Sequence, residues 1–166
     1  MSHRIPPSEM LGAAERIARE AHAGQLYGER DYFEAHIVPV VSVVARMGYG
    51  PDFQATAYLH DVMEDGDLTR DWFYQFQAHI PHVVSAAVEI LDKRDAPSHL
   101  AYMRRIATSP LAVVAKFGDS TVNFAATALL SPDLGDNKYR ERINEYAGNI
   151  AFLRPLLPPP NQIESL

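Results

Sequence analysis

Prolines and serines stand at the head of one apolar, helix-periodic stretch after another, and this punctuation restricts the chain more than any other feature. Pro51 before Asp52, Pro81, and the pair Ser109-Pro110 all suit a first helical turn, where proline's fixed φ fits and its missing N–H has no partner to lose. Ser8 precedes Met10, Leu11, Ala14, Ile17, Ala18 and Ala21, which recur with helical period until Gly24. The valine-rich stretch 37–47 has the composition of a buried strand, but Pro39 would remove a ladder donor there. We therefore assign it to a helix ending at Gly48 or Gly50. The third helix opens at Pro51, carries Phe53, Ala57, Tyr58 and Val62, and stops at Gly66. Thr69 caps a short segment with Trp72, Phe73 and Phe76; further helices run from Pro81 through Val84, Val88 and Leu91, and from Ser98 through Tyr102 and Ile106. A long apolar helix passes from Pro110 through Val113, Val114, Phe117 and Val122 to Leu129, and a loop at 131–137 separates it from a last helix over 138–153. The expected fold is an all-α bundle of about eight helices in one domain over 8–157, with an extension at 1–7 and a proline-rich tail at 158–166.

Composition narrows the chemistry. At 166 residues one domain is expected, and the lack of cysteine excludes disulfides, thiolate metal sites and thiol nucleophiles, leaving His, Asp and Glu to hold any metal. Fifteen Lys and Arg against 21 Asp and Glu, a net charge of -6, disfavour a nucleic-acid polymer as partner. No apolar run approaches the roughly 20 residues of a membrane span, and residues 1–7 lack an export signal, so a cytoplasmic protein without a membrane partner is expected.

Two clusters of polar residues fall inside apolar surroundings. His60-Asp61 is followed by Glu64-Asp65, and on a continued helix His60 and Glu64, like Asp61 and Asp65, would share a face. Three carboxylates packed so closely repel unless a cation sits among them, although a helix end with an acidic loop reads the same. Asp119 and Asn123, four apart on the long helix, form the second cluster; Asp119 is either part of a site or a local ion pair with Lys116. His36 is a third candidate ligand, and equally a core or capping histidine.

The joint order of Ala21-His22-Ala23-Gly24-Gln25, His36, His60-Asp61, Glu64-Asp65, Asp119 and Asn123 resembles the HD-domain metal-dependent phosphohydrolases, and more narrowly the RelA/SpoT-type (p)ppGpp hydrolase domains and their small single-domain relatives. Leu91-Asp92-Lys93-Arg94, Tyr102, Ser109-Pro110-Leu111-Ala112, Lys116-Phe117-Gly118-Asp119, Arg142 and Tyr146 extend the resemblance from about residue 8 to residue 157. The resemblance implies an all-α HD fold and one divalent metal held by His36, His60, Asp61 and Asp119. It makes Glu64 and Asp65 the pair that activates and positions water and gives Asn123 a role in contacting the nucleotide or ordering the site, and Lys93, Arg94, Arg142 and Tyr146 are candidate contacts to a small nucleotide. Mn²⁺ is the family's usual metal, and a nitrogen and oxygen ligand set also accommodates Fe²⁺ or Zn²⁺. The family's basic pair between Gln25 and the metal-binding histidine is here Tyr27 and Gly28. Tyr27 is then a candidate for base stacking, and Arg30 for the missing cation. The expected activity is pyrophosphate release from a (p)ppGpp-type nucleotide. An HD-type 5′-deoxynucleotidase and a catalytically silent metal- or nucleotide-binding module are the alternatives.

Overall fold

A computed structural model of the protein describes residues 5–64, 75, 77–130 and 137–160. Seven α-helices lie among them: α1 (Pro7–Ala21), α2 (Val38–Arg46), α3 (Pro51–Leu59), α4 (His82–Leu91), α5 (His99–Ile106), α6 (Pro110–Leu130) and α7 (Asn137–Leu153). The only sheet among the described residues pairs β1 (Leu26–Tyr27) with β2 (Arg30–Asp31), antiparallel, with Tyr27 opposite Arg30. The all-α expectation is borne out. The segment expected after Thr69, with Trp72, Phe73 and Phe76, lies outside the described residues, as does Asp65.

The punctuation acts largely as expected. Pro51 follows Gly50 as the first residue of α3, and Ser98 caps α5 by accepting the Ala101 N–H at 3.2 Å. The Ser109 hydroxyl likewise accepts the Ala112 N–H at the head of α6. At α1 it is Pro7 that leads, which puts Ser8 inside the first turn instead of ahead of it.

Two local departures build the site. Pro39 sits two residues into α2, but the chain is already helical from Tyr32, so Pro39 is interior to a longer helical run. Proline there lacks an N–H and crowds the carbonyl one turn back. The preceding turn, Phe33–Ile37, is a widened π-turn with the Val38 N–H bonded to the Phe33 carbonyl. That wide turn carries His36. The second departure corrects the third helix: α3 ends at Leu59, and 60–64 form tight turns with Val62 N–H on the Leu59 carbonyl and Glu64 N–H on the Asp61 carbonyl. His60 and Glu64 therefore do not share a helix face.

α6 is the central helix. Leu111, Ala112, Val113, Val114 and Ala115 are all buried, the pattern of a helix covered on every side, and α2, α3, α4 and α7 pack around it. α1 covers α3. Gly118 sets the approach of α6 to α2: a Cβ there would lie 3.2 Å from Val44 Cγ2 and 3.4 Å from Val40 Cγ1. Gly118→Val is expected to lower stability by about 1–3 kcal/mol through overpacking, more than the small gain in helix propensity returns. Urea unfolding measures it, and a midpoint at or above wild type would contradict the close contact. The start of the proline-rich tail is seated on the same bundle, where the Tyr49 hydroxyl donates to the Pro158 carbonyl at 2.7 Å. No described helix is long and apolar enough to cross a membrane.

Candidate metal centre and active site

Three separate pieces of chain meet at one point: the π-turn with His36, the turn after α3 with His60 and Asp61, and the middle of α6 with Asp119. One ligand atom from each of these four side chains lies within 4.8 Å of every other. His36 Nε2 is 3.3 Å from His60 Nε2, from Asp61 Oδ2 and from Asp119 Oδ1. His60 Nε2 is 2.9 Å from Asp61 Oδ2 and 3.7 Å from Asp119 Oδ1. With ligand bonds of about 2.1 Å, neighbouring atoms of a tetrahedral or octahedral shell stand roughly 3.0–3.4 Å apart, so these separations suit a shared cation.

The tautomer of His60 supports the same fit. Its Nδ1 lies 2.7 Å from the Ala57 carbonyl, which can only accept, so Nδ1 carries the hydrogen and Nε2 turns toward the other three side chains. Burial opposes charge on His36 and His60, yet Asp119 and Asp61 more than offset it and raise both above the usual histidine range. Burial likewise opposes ionisation of the two carboxylates, and it is overcome at Asp61 by His60 and His36 and at Asp119 by Lys116 and the histidines, so both stay well below the usual range. The pocket thus draws in positive charge, and a divalent cation answers that demand with both imidazoles neutral.

An outer ring holds the four residues in place. The Tyr32 hydroxyl donates to Asp61 Oδ2 at 2.7 Å, and the Lys116 ammonium to Asp119 Oδ2 at 2.8 Å. The local ion pair expected of Asp119 is thus present on Oδ2, while Oδ1 faces the two imidazoles. Burial works against the Lys116 charge, but Asp119 and Tyr102 outweigh it and keep the amine protonated. Asn123 Nδ2 donates to Asp119 Oδ1 at 2.5 Å, and the Tyr27 hydroxyl donates to Asn123 Oδ1 at 2.7 Å. Tyr27 also stacks on His36, and burial pushes its phenol up to about 12. Tyr32 was not singled out by sequence reasoning; a lone tyrosine at the start of a helical run carries no periodic signal. His22 of the Ala-His motif packs on the Tyr32 ring and meets Gln25 Oε1 at 2.7 Å, which ties the end of α1 to the same ring.

The remaining candidates fall in two places. Glu64, nearly buried, is ion-paired with Lys93 on the short turn after α4, and its carboxylate is not among the four converging ligands. Arg94 beside it binds Asp92 through two bonds of 2.9 and 2.8 Å. The Arg105 guanidinium donates to the Asp92 carbonyl, and the Tyr102 hydroxyl to the Leu91 carbonyl, which fixes this turn against α5. Tyr146 and Arg142 of α7 act electrostatically on the Tyr27 phenol, Tyr146 raising it and Arg142 lowering it. Arg30 pairs with Tyr27 across the hairpin and is exposed. Gly28 has φ +66 at the first central position of the two-residue turn, a backbone state that a lysine would hold only under strain.

No model of a known protein family matches the chain. Two curated relatives do: the guanosine-3′,5′-bis(diphosphate) 3′-pyrophosphohydrolases of Vibrio cholerae, 27% identical over 86% of this chain, and of Haemophilus influenzae, 26% identical over 78%. The matches take up 21% and 20% of those proteins, so the chain spans about a fifth of the length of the curated relatives. Among solved structures, a metazoan ortholog of SpoT that hydrolyzes ppGpp and plays a role in starvation responses superposes with a TM-score of 0.69 at 17% identity, covering 95% of this chain and 92% of that one. The fold is therefore shared along nearly the whole length of both, and the resemblance to RelA/SpoT-type hydrolase domains is borne out.

Proposed function

We propose that the chain is a metal-dependent phosphohydrolase that releases pyrophosphate from the 3′ position of a guanosine 3′,5′-bis(diphosphate)-type nucleotide. The observation that carries this reading is the convergence of His36, His60, Asp61 and Asp119 in a chain similar over most of its length to 3′-pyrophosphohydrolases. These four residues would hold one divalent cation, and Mn²⁺ is our assignment. When bound, such a cation supplies Lewis acidity, drawing electron density from a phosphoryl oxygen and making water a stronger acid.

The chain's own groups do the rest. Tyr32 and Lys116 each occupy the Oδ2 of a ligand carboxylate, which holds Asp61 and Asp119 in one rotamer and spares reorganisation on binding. Glu64, outside the ligand set and close to it in the chain, takes the proton of the attacking water, and Asp65, next in sequence, completes the acid pair; the 3′ oxygen leaves as a hydroxyl when that proton is returned. Lys93 keeps the Glu64 carboxylate in position. Arg142, with Tyr146 near the Tyr27 edge, faces the nucleotide's outer phosphates or base, Arg30 extends that cationic edge, and Arg94 contributes from the other side through the face its Asp92 pairing leaves exposed.

The test is release of pyrophosphate from ppGpp and pppGpp, against a panel of other 3′-phosphorylated nucleotides, NADPH and deoxynucleoside monophosphates, with Mn²⁺ or with chelator. Pyrophosphate from ppGpp only when Mn²⁺ is present is the expected outcome. Orthophosphate from deoxynucleoside monophosphates would reassign the substrate, and metal uptake with no turnover on any of them would leave a binding module.

A further inference from the structure

Tyr27 reaches the ligand cluster by two routes. Its ring lies over His36 with 5.1 Å between centroids and 20° between planes. Its hydroxyl begins a chain of hydrogen bonds, 2.7 Å to Asn123 Oδ1 and then 2.5 Å from Asn123 Nδ2 to Asp119 Oδ1. Chemistry fixes the direction of this chain. A carboxylate only accepts, so Asn123 turns its amide NH₂ to Asp119; the amide carbonyl then faces Tyr27, and the phenol donates. Asp119 Oδ1 is the oxygen that faces both imidazoles, while Lys116 holds Oδ2. Rotation of the Asp119 carboxylate is thus checked at each oxygen, and the check on Oδ1 depends on the Asn123 amide keeping one orientation.

We propose that Tyr27 is a positioning residue of the metal centre, its hydroxyl orienting Asp119 through Asn123 and its ring fixing the plane of His36. The proposal rests on the metal site described above and is independent of which nucleotide is cut. It assigns Asn123 to ordering the cluster: the amide carbonyl is used by Tyr27 and one amide hydrogen by Asp119. The hairpin makes this arrangement available, because the tight turn at Gly28 folds β1 back so that Tyr27 covers the π-turn carrying His36.

The experiment measures Mn²⁺ affinity without nucleotide, from the electron paramagnetic resonance signal of free Mn²⁺, for wild type, Tyr27→Phe, Asn123→Ala and the double variant. Tyr27→Phe keeps the ring and removes the donor. It is expected to weaken Mn²⁺ binding about 10-fold, at the lower end of the roughly 10–100-fold range for outer partners of metal ligands. In the Asn123→Ala background the same substitution is expected to have no further effect, because the relay is already cut. An unchanged affinity for Tyr27→Phe, or a loss that simply adds to that of Asn123→Ala, overturns the proposal. A wild-type chain that takes up no Mn²⁺ overturns it together with the metal site, whereas the expected pattern in a chain inactive on ppGpp supports it and removes only the hydrolase reading.

Discussion

Asp61→Asn is expected to lower both Mn²⁺ affinity and metal-dependent pyrophosphate release by about 10³-fold while leaving the bundle folded. The substitution is isosteric and keeps an acceptor for the Tyr32 hydroxyl, so the outer ring survives. What it removes is a negative charge whose Oδ2 lies 2.9 Å from His60 Nε2 and 3.3 Å from His36 Nε2. Electrostatic stabilisation by a bound metal is worth several kcal/mol, and each 1.36 kcal/mol is a factor of ten in rate. Asp61 is the better test than Asp119, because loss of Asp119 would also leave the partly buried Lys116 ammonium without its ion-pair partner, a defect that confuses folding with function. Titration of Mn²⁺ and the pyrophosphate assay read the two effects separately. Wild-type values in both would remove Asp61 from the ligand set.

Glu64→Gln separates proton transfer from metal binding. The amide matches the carboxylate in shape but cannot take a proton, and removing a general base lowers turnover by about 10²–10⁴-fold. Mn²⁺ affinity is expected to stay within a few-fold of wild type, since Glu64 is not one of the four converging ligands. The ion pair to Lys93 gives way to a neutral contact at a site whose lysine is largely exposed, so the fold is expected to persist. Unchanged turnover with intact metal binding would pass the base to Asp65.

Much of the architecture was legible along the chain because helix starts are local events. Pro51, Ser98 and Ser109-Pro110 act on the first turn within four residues of themselves, and each heads the helix expected there. The end of α3 was not legible. Tyr58, Leu59, Val62 and Met63 continue an apolar pattern through the break, and only the tight turns at 60–64 reveal it. The hairpin at 26–31 is too short to show alternation, and the π-turn at Phe33–Ile37 has no sequence period of its own.

For the site, it was the resemblance carried by the order of the motifs that implied His36, His60, Asp61 and Asp119 as ligands; residue by residue, a capping histidine, an acidic helix end and a local ion pair read equally well, and the structure is what brings the four side chains together. Tertiary structure decided the partners that come from other elements. That Tyr32 holds Asp61, that Tyr27 covers His36 and reaches Asn123, and that Asp119 meets both imidazoles depend on how the hairpin, the π-turn, the turn after α3 and α6 come together, whereas the Lys116–Asp119 and Asn123–Asp119 contacts lie three and four residues apart on α6 itself. One of these meetings, α6 against α2, is close because Gly118 packs against Val40 and Val44, residues far from it in the chain. Local sequence specifies which side chains a turn can offer, and only the packed interior determines which atoms they meet.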